Sequence, residues 1–159
     1  MNKLSVAQKA YIAGFLDGDG SVYVRLKPNS TYRFHYQVAP YVVFFQAMKQ
    51  RAVLKKIQQM TGVGYLRERN DGIVEYTIGD MPSITALLTT IKPYLLLKRR
   101  QAEVMIEILR MKKLVKNGTD FIKLCDLIDQ FKELNYSKRR TQTKAEVQKV
   151  LEKEGILTP

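Results

Sequence analysis

Tryptophan is absent from the 159 residues, and cysteine and histidine occur once each, as Cys125 and His35. A lone cysteine allows no internal disulfide and no cysteine-cluster zinc site. A lone histidine removes His-rich metal sites and argues against a Ser-His-Asp triad. No apolar run approaches the roughly 18 residues of a membrane span, and the N-terminus lacks the apolar stretch of a signal peptide. Acidic residues are scarce: 15 Asp+Glu stand against 27 Lys+Arg, a formal charge of +12. The expectation is a soluble, intracellular, single-domain protein whose catalysis, if any, uses neither histidine nor cysteine. What it has in excess is positive charge, which implies a polyanionic partner, nucleic acid before an anionic membrane surface.

Local signals divide the chain into elements. Ser5 and Gln8 have the spacing of a capping box, and the helix they open is expected to run to about Asp17 and stop in Gly18-Asp19-Gly20. A strand follows with Val22, Val24 and Leu26 on one face and Ser21, Tyr23, Arg25 and Lys27 on the other. After a Lys27–Ser30 loop a second strand alternates Phe34, Tyr36 and Val38 with Arg33, His35 and Gln37. Pro40 predicts a bend or an edge position there. The run Tyr41–Phe45 is expected to lead into a helix from about Gln46, stopped by Gly62. A hairpin turning at Asn70-Asp71-Gly72 comes next, then a short helix capped by Asp80 with Pro82 in its first turn. A long helix from about Lys98 to Val115 follows, then another capped by Thr119 or Asp120. The basic Ser137–Arg140 segment precedes a last helix capped by Thr143 with Glu146. The order through the core, 1–136, is α-ββ-α-ββ-α-α-α, an α+β domain with one antiparallel sheet, and 137–159 add a basic C-terminal segment and the last helix.

Both hairpins place Arg, Lys and hydrogen-bonding residues on one parity: Arg25, Lys27, Gln37, Arg67, Arg69, Glu75 and Thr77. A solvated face would mix the two charge signs; an excess of Arg, Gln and Thr suits base edges in a major groove. On the first helix, Ala10, Gly14 and Gly18 lie four residues apart and form a stripe of near-bare backbone, open to close packing of a second helix. Asp17 and Asp19 stand at the end of that helix, where partial negative charge makes carboxylates unfavourable unless a cation binds. The spacing is not that of an EF-hand: the sixth position from Asp17 is Val22 and the twelfth is Pro28.

Ile12-Ala13-Gly14-Phe15-Leu16-Asp17-Gly18-Asp19-Gly20 resembles the defining motif of the LAGLIDADG homing endonucleases. Lys27-Pro28-Asn29, Gly62-Val63-Gly64-Tyr65, Lys98 and the Asn135–Arg140 segment are similar to single-motif, homodimeric members encoded in algal organelle group I introns. The resemblance implies a saddle-shaped sheet as the DNA-binding face and motif helices paired across a twofold axis, with Ala10, Ala13, Gly14 and Gly18 at the dimer interface. It implies a metal-binding Asp19, helped by the Gly18 carbonyl, and a Mg2+-dependent cut of both DNA strands at a long pseudo-palindromic target. Mn2+ would substitute, and Ca2+ would support binding without cleavage. Gln46 and Lys98 fall at positions that organise the water around the metals. The family's further basic residue has no direct counterpart, since Gln50 stands there between Lys49 and Arg51; Arg51 is the candidate, being long enough to reach from one position away. DNA contacts transfer onto Arg25, Lys27, Asn29, Thr31, Tyr32, Gln37, Val43 (against a thymine methyl), Arg67, Arg69, Glu75 and Thr77, with Lys138 and Arg140 on phosphates. The resemblance also implies an organelle, the chloroplast before the mitochondrion. His35 is expected at the surface and Cys125 in the core. The competing reading is a non-cleaving nucleic-acid binder on the same fold, which would have no need of an acid at position 19.

Overall fold

The computed structural model describes residues 1–134 and 142–157. The segment holding Lys138 and Arg140 therefore lies outside the described residues. Helix α1 (Val6–Asp19) opens on the expected capping box: Ser5 Oγ accepts from the Gln8 N–H, and Gln8 Oε1 accepts from the Ser5 N–H. It runs two residues past the expected stop and passes directly into strand β1 (Gly20–Pro28). Gly20 makes that junction possible, because a Cβ there would meet Leu16 Cδ1 at 2.5 Å and Leu16 O at 2.8 Å. Strand β1 buries Val22, Val24 and Leu26, as its alternation predicts.

Strand β2 (Tyr36–Ala47) departs from expectation at both ends. It begins later, because residues 29–35 close on themselves through Asn29 N–H to His35 O, Tyr32 N–H to Asn29 O and His35 N–H to Tyr32 O. His35 sits there at φ 55°, a left-handed conformation in which His is enriched among non-glycine residues. The strand then passes straight through Pro40, in an interior position. Pairing with strand β4 (Ile73–Ile78) starts only at Val42 opposite Ile78, so proline's missing N–H costs no bond on that side. The strand also continues through Gln46, where a helix start was expected, because the run Val42-Val43-Phe44-Phe45 favours a strand. A 3-10 turn at Met48–Gln50 then leads into helix α2 (Arg51–Thr61), ended by Gly62 at φ 70°.

Strand β3 (Tyr65–Glu68) turns at Asn70-Asp71-Gly72 into β4, with Gly72 at φ 79°. The four strands form one antiparallel sheet in the order β1-β2-β4-β3. Among the described residues four further helices follow: α3 (Met81–Ile91), α4 (Arg99–Leu114), α5 (Gly118–Lys132) and α6 (Lys144–Lys153). Asp80 caps α3 and Thr143 with Glu146 caps α6, as expected; α5 is capped by Asn117 rather than Thr119 or Asp120, its Oδ1 accepting from the Asp120 N–H.

Contacts group the chain into two compact units. The first comprises residues 1–22 and 40–103. Its core holds Ile12, Ala13 and Leu16 of α1, Phe44 stacked on Tyr76 at 5.4 Å, Leu54 and Ile57 of α2, and Ile84, Leu87 and Leu88 of α3. The second comprises residues 23–39 and 104–159. In its core Phe34 stacks on Phe121 at 4.9 Å, and Leu124, Cys125 and Ile128 of α5 are buried, as are Val147 and Leu151 of α6. Lys144 ties those two helices together, its Nζ bonding Asp126 at 3.0 Å and its N–H bonding Asp129 at 2.8 Å. Among the described residues no helix is long and apolar enough to cross a membrane.

Candidate active site and nucleic-acid interface

The end of α1 gathers the predicted catalytic residues of the first unit. Asp19 is its last residue and is exposed; its Oδ2 accepts from Gln46 Nε2 at 2.8 Å. Because β2 extends to Ala47, Gln46 is held by the β2–β4 ladder opposite Val74, so a strand rather than a helix fixes the side chain that orients the acid. The Gly18 carbonyl belongs to the last helical turn, where no further N–H within the helix is available to it.

Asp17, two residues before, has a different role. Its Oδ2 accepts from the N–H groups of Leu96 (2.7 Å) and Leu97 (3.2 Å), and its Oδ1 accepts from the N–H of Lys98 (2.8 Å). It therefore serves the entrance of α4 and is not free for a cation. No local sequence signal marks this, because the amides that Asp17 holds belong to the Leu96–Lys98 segment leading into α4, about 80 residues away in the chain. Lys98 Nζ in turn donates to the Asp17 carbonyl at 2.6 Å, which places its charge on the C-terminal turn of α1. Burial pulls the Lys98 ammonium below its ordinary pKa, against the opposing influence of Asp17 and then Asp19. The geometry thus brings Asp19, Gln46 and Lys98 to one helix end. Arg51, the fourth candidate, is held elsewhere, its Nε donating to Glu68 Oε1 at 2.7 Å.

The outward stripe of α1 consists of Ala10, Gly14 and Gly18, all exposed. Ala13 is a correction: it is wholly buried among its own chain's core residues, since it falls on the helical face of Ile12 and Leu16. A Cβ built on Gly14 or Gly18 meets nothing within 4 Å. Nothing inside the chain requires glycine at either position, although each costs a helix about 1 kcal/mol relative to alanine.

On the sheet, Val43, Thr77 and Tyr65 face one another across β2, β4 and β3, and Phe45, Glu75 and Arg67 form the next row. Arg67 Nε bonds Glu75 Oε2 at 3.0 Å, and Arg69 Nη1 bonds Glu75 Oε1 at 3.2 Å, with Asp71 also on Arg69. Both oxygens of the Glu75 carboxylate are thereby occupied, and its side chain is only 11% exposed. It orients two arginines. Val43 and Thr77 are buried too, at 2% and 6% exposure, so these expected contacts are not on the surface; both lie in central strands flanked on two sides. In the second unit Arg25 is exposed and lies over the Tyr23 ring at 5.0 Å, and Lys27, Thr31 and Tyr32 are exposed beside it in sequence. Asn29 Oδ1 accepts from the Thr31 N–H and hydroxyl, which leaves its amide N–H groups as donors, and Gln37 is half-buried. His35 serves the 29–35 turn.

Comparison with known proteins places these features in a family. Residues 12–106 match the model described as LAGLIDADG endonuclease. The chain is 35% identical over 143 residues to the DNA endonuclease I-CreI of Chlamydomonas reinhardtii, covering 89% of this chain and 87% of that protein. It is 32% identical over 146 residues to the DNA endonuclease I-CvuI of Chlorella vulgaris, covering 92% and 91%. Among solved structures, I-CvuI in complex with the I-CreI target in the presence of Mg, its DNA not cleaved, superposes with a TM-score of 0.91 at 31% identity over 96% of this chain and 97% of that one. I-CvuI bound to its own target in the presence of Ca superposes with a TM-score of 0.90.

Proposed function

The chain belongs to the LAGLIDADG endonuclease family, and on that footing we propose that it is a site-specific DNA endonuclease that cuts both strands of a long pseudo-palindromic target as a homodimer and so promotes intron homing. The observation that carries this reading is Asp19: an exposed carboxylate at an electrostatically unfavourable helix end, oriented by Gln46 and flanked by the Lys98 ammonium. With Asp17 committed to three backbone amides, one copy brings Asp19 to this helix end, and a twofold-related copy would bring a second Asp19 beside it. The open stripe of Ala10, Gly14 and Gly18 supports that pairing. So do Leu96 and Leu97, whose N–H groups Asp17 holds while their side chains stand 87% and 73% exposed.

The donor set fits a hard divalent cation. Asp19 and the Gly18 carbonyl offer oxygen only, which suits Mg2+, with Mn2+ as a substitute and Ca2+ bound without productive geometry. When bound, such ions supply an activated water and stabilise the leaving 3′ oxygen. The protein's own part is positional. Gln46 fixes the Asp19 carboxylate, Asp17 fixes the chain at Lys98, and Lys98 presents positive charge to the phosphate that becomes more negative during attack. Arg67 and Arg69, splayed by Glu75, supply forks for base edges or phosphates, and Arg25, Lys27, Asn29, Thr31, Tyr32 and Gln37 supply the contacts of the second unit. Residues 1–159 act as one endonuclease domain in this account, and the algal relatives support an organelle, chloroplast before mitochondrion, as its place of action.

The test is incubation with a random duplex library and Mg2+, followed by sequencing of the cut ends. One recurrent, near-symmetric site cut on both strands is expected. Recovery of bound but uncut duplexes in both Mg2+ and Mn2+ would favour the non-cleaving binder.

A further inference from the structure

Arg51 opens α2, and Glu68 closes β3. Their single bond, Arg51 Nε to Glu68 Oε1 at 2.7 Å, joins two side chains that are 47% and 54% exposed. Exposed pairs of this kind contribute little to fold stability. Among the described residues the Arg51 guanidinium makes no other hydrogen bond or ion pair, so the four N–H donors on its two Nη groups are uncommitted. A guanidinium anchored through Nε, with its Nη groups open, is preorganised for bidentate contact with a phosphate.

The sheet register places this pair relative to Asp19. Gln46, Val74 and Glu68 face one another across β2, β4 and β3, so the carboxylate that holds Arg51 is in the same row as the amide that holds Asp19. Two strand spacings put the Glu68 backbone about 10 Å from that of Gln46, within a few nucleotide steps of about 3.4 Å each. Resting on the endonuclease reading above, we propose that Glu68 is a positioning residue for Arg51, and that Arg51 so held grips a backbone phosphate neighbouring the one that is cut. In a chain with so few acids, a carboxylate beside a DNA phosphate is repulsive; it is tolerated because it sets the guanidinium's direction.

The test measures duplex affinity in Ca2+ over a range of salt concentrations, an assay that needs no cleavage. Arg51→Ala should weaken binding roughly tenfold and make the log-affinity against log-salt slope shallower by about one per chain. Glu68→Ala should produce the same loss, and the double variant should bind no more weakly than Arg51→Ala alone. Glu68→Gln, whose amide oxygen still accepts from Nε, should keep wild-type affinity. Tighter binding or a steeper slope in Glu68→Ala means the carboxylate merely neutralises Arg51 and overturns the proposal, as do additive losses or a silent Arg51→Ala. A Glu68→Gln variant as weak as Glu68→Ala overturns it as well. If the wild type never cuts any library member, the endonuclease reading fails while this coupling is still measured.

Discussion

Asp17 and Asp19 stand two residues apart at the same helix end, yet one satisfies three backbone amides and the other keeps its charge available. Sequence marks both as misplaced acids; only the position of Leu96–Lys98 separates their roles. Glu75 is a similar case. Its parity on β4 is readable, but its double bond to Arg67 and Arg69 depends on the β3–β4 register, which turn chemistry alone specifies only loosely. Tyr76 shows the same scale acting on stability. Burial pushes its phenol up to about 12 from 10.0, with the Thr61 hydroxyl pulling the other way, and its Oη lies 2.6 Å from Thr61 Oγ1 and donates to the Val63 carbonyl at 2.9 Å. A raised pKa means that the neutral phenol's stabilisation is whole below pH 10 and is lost as pH climbs from 10 toward 12. Tyr76→Phe should cost about 1–3 kcal/mol at pH 8 by leaving Thr61 and Val63 short of a partner. The gap between wild type and Tyr76→Phe, read as denaturant midpoints, should close between pH 10 and 12. A constant gap would show that the phenol is not held neutral by the fold.

At the scale of elements, local chemistry was a good guide wherever it decides the conformation. The Ser5–Gln8 and Thr143–Glu146 capping boxes, the alternation of β1, the Asn70-Asp71-Gly72 turn and the Asp80 cap all stand where the residues put them. Thr143→Ala should therefore cost about 1 kcal/mol, measured by urea unfolding, whereas an unchanged midpoint would mean α6 contributes nothing to the cooperative unit. The misreadings come from tertiary contacts. Pro40 reads as a bend or an edge position, but β4 ends opposite Val42 and leaves no bond for it to lose on that side. Gln46 reads as a helix start, but pairing with Val74 holds it in the sheet, and that is what delivers it to Asp19. Val43 and Thr77 have the parity of a binding face and the burial of a core, because parity does not report what neighbouring strands cover.

For the whole molecule, the glycines of α1 say most. The chain gives no internal reason for Gly14 or Gly18, which is what supports the proposed pairing with another copy. Gly14→Leu should leave the fold intact, since its side chain enters open space, but should convert the dimer to a monomer in sedimentation and abolish double-strand cutting. A Gly14→Leu variant that remains dimeric would show that the pairing uses a different face.

The central claim is that Asp19 holds the ions that cut DNA and is not needed to hold the DNA itself. The direct measurement is a gel assay of wild type and Asp19→Asn on one target duplex, for binding in Ca2+ and for cleavage in Mg2+. Asn keeps the volume and can still meet Gln46, but it lacks the charge that retains divalent cations. Wild type should bind in both ions and cut only in Mg2+; Asp19→Asn should bind at least as tightly, relieved of repulsion from the phosphates, and should not cut. Cleavage by Asp19→Asn at the wild-type rate would contradict the account.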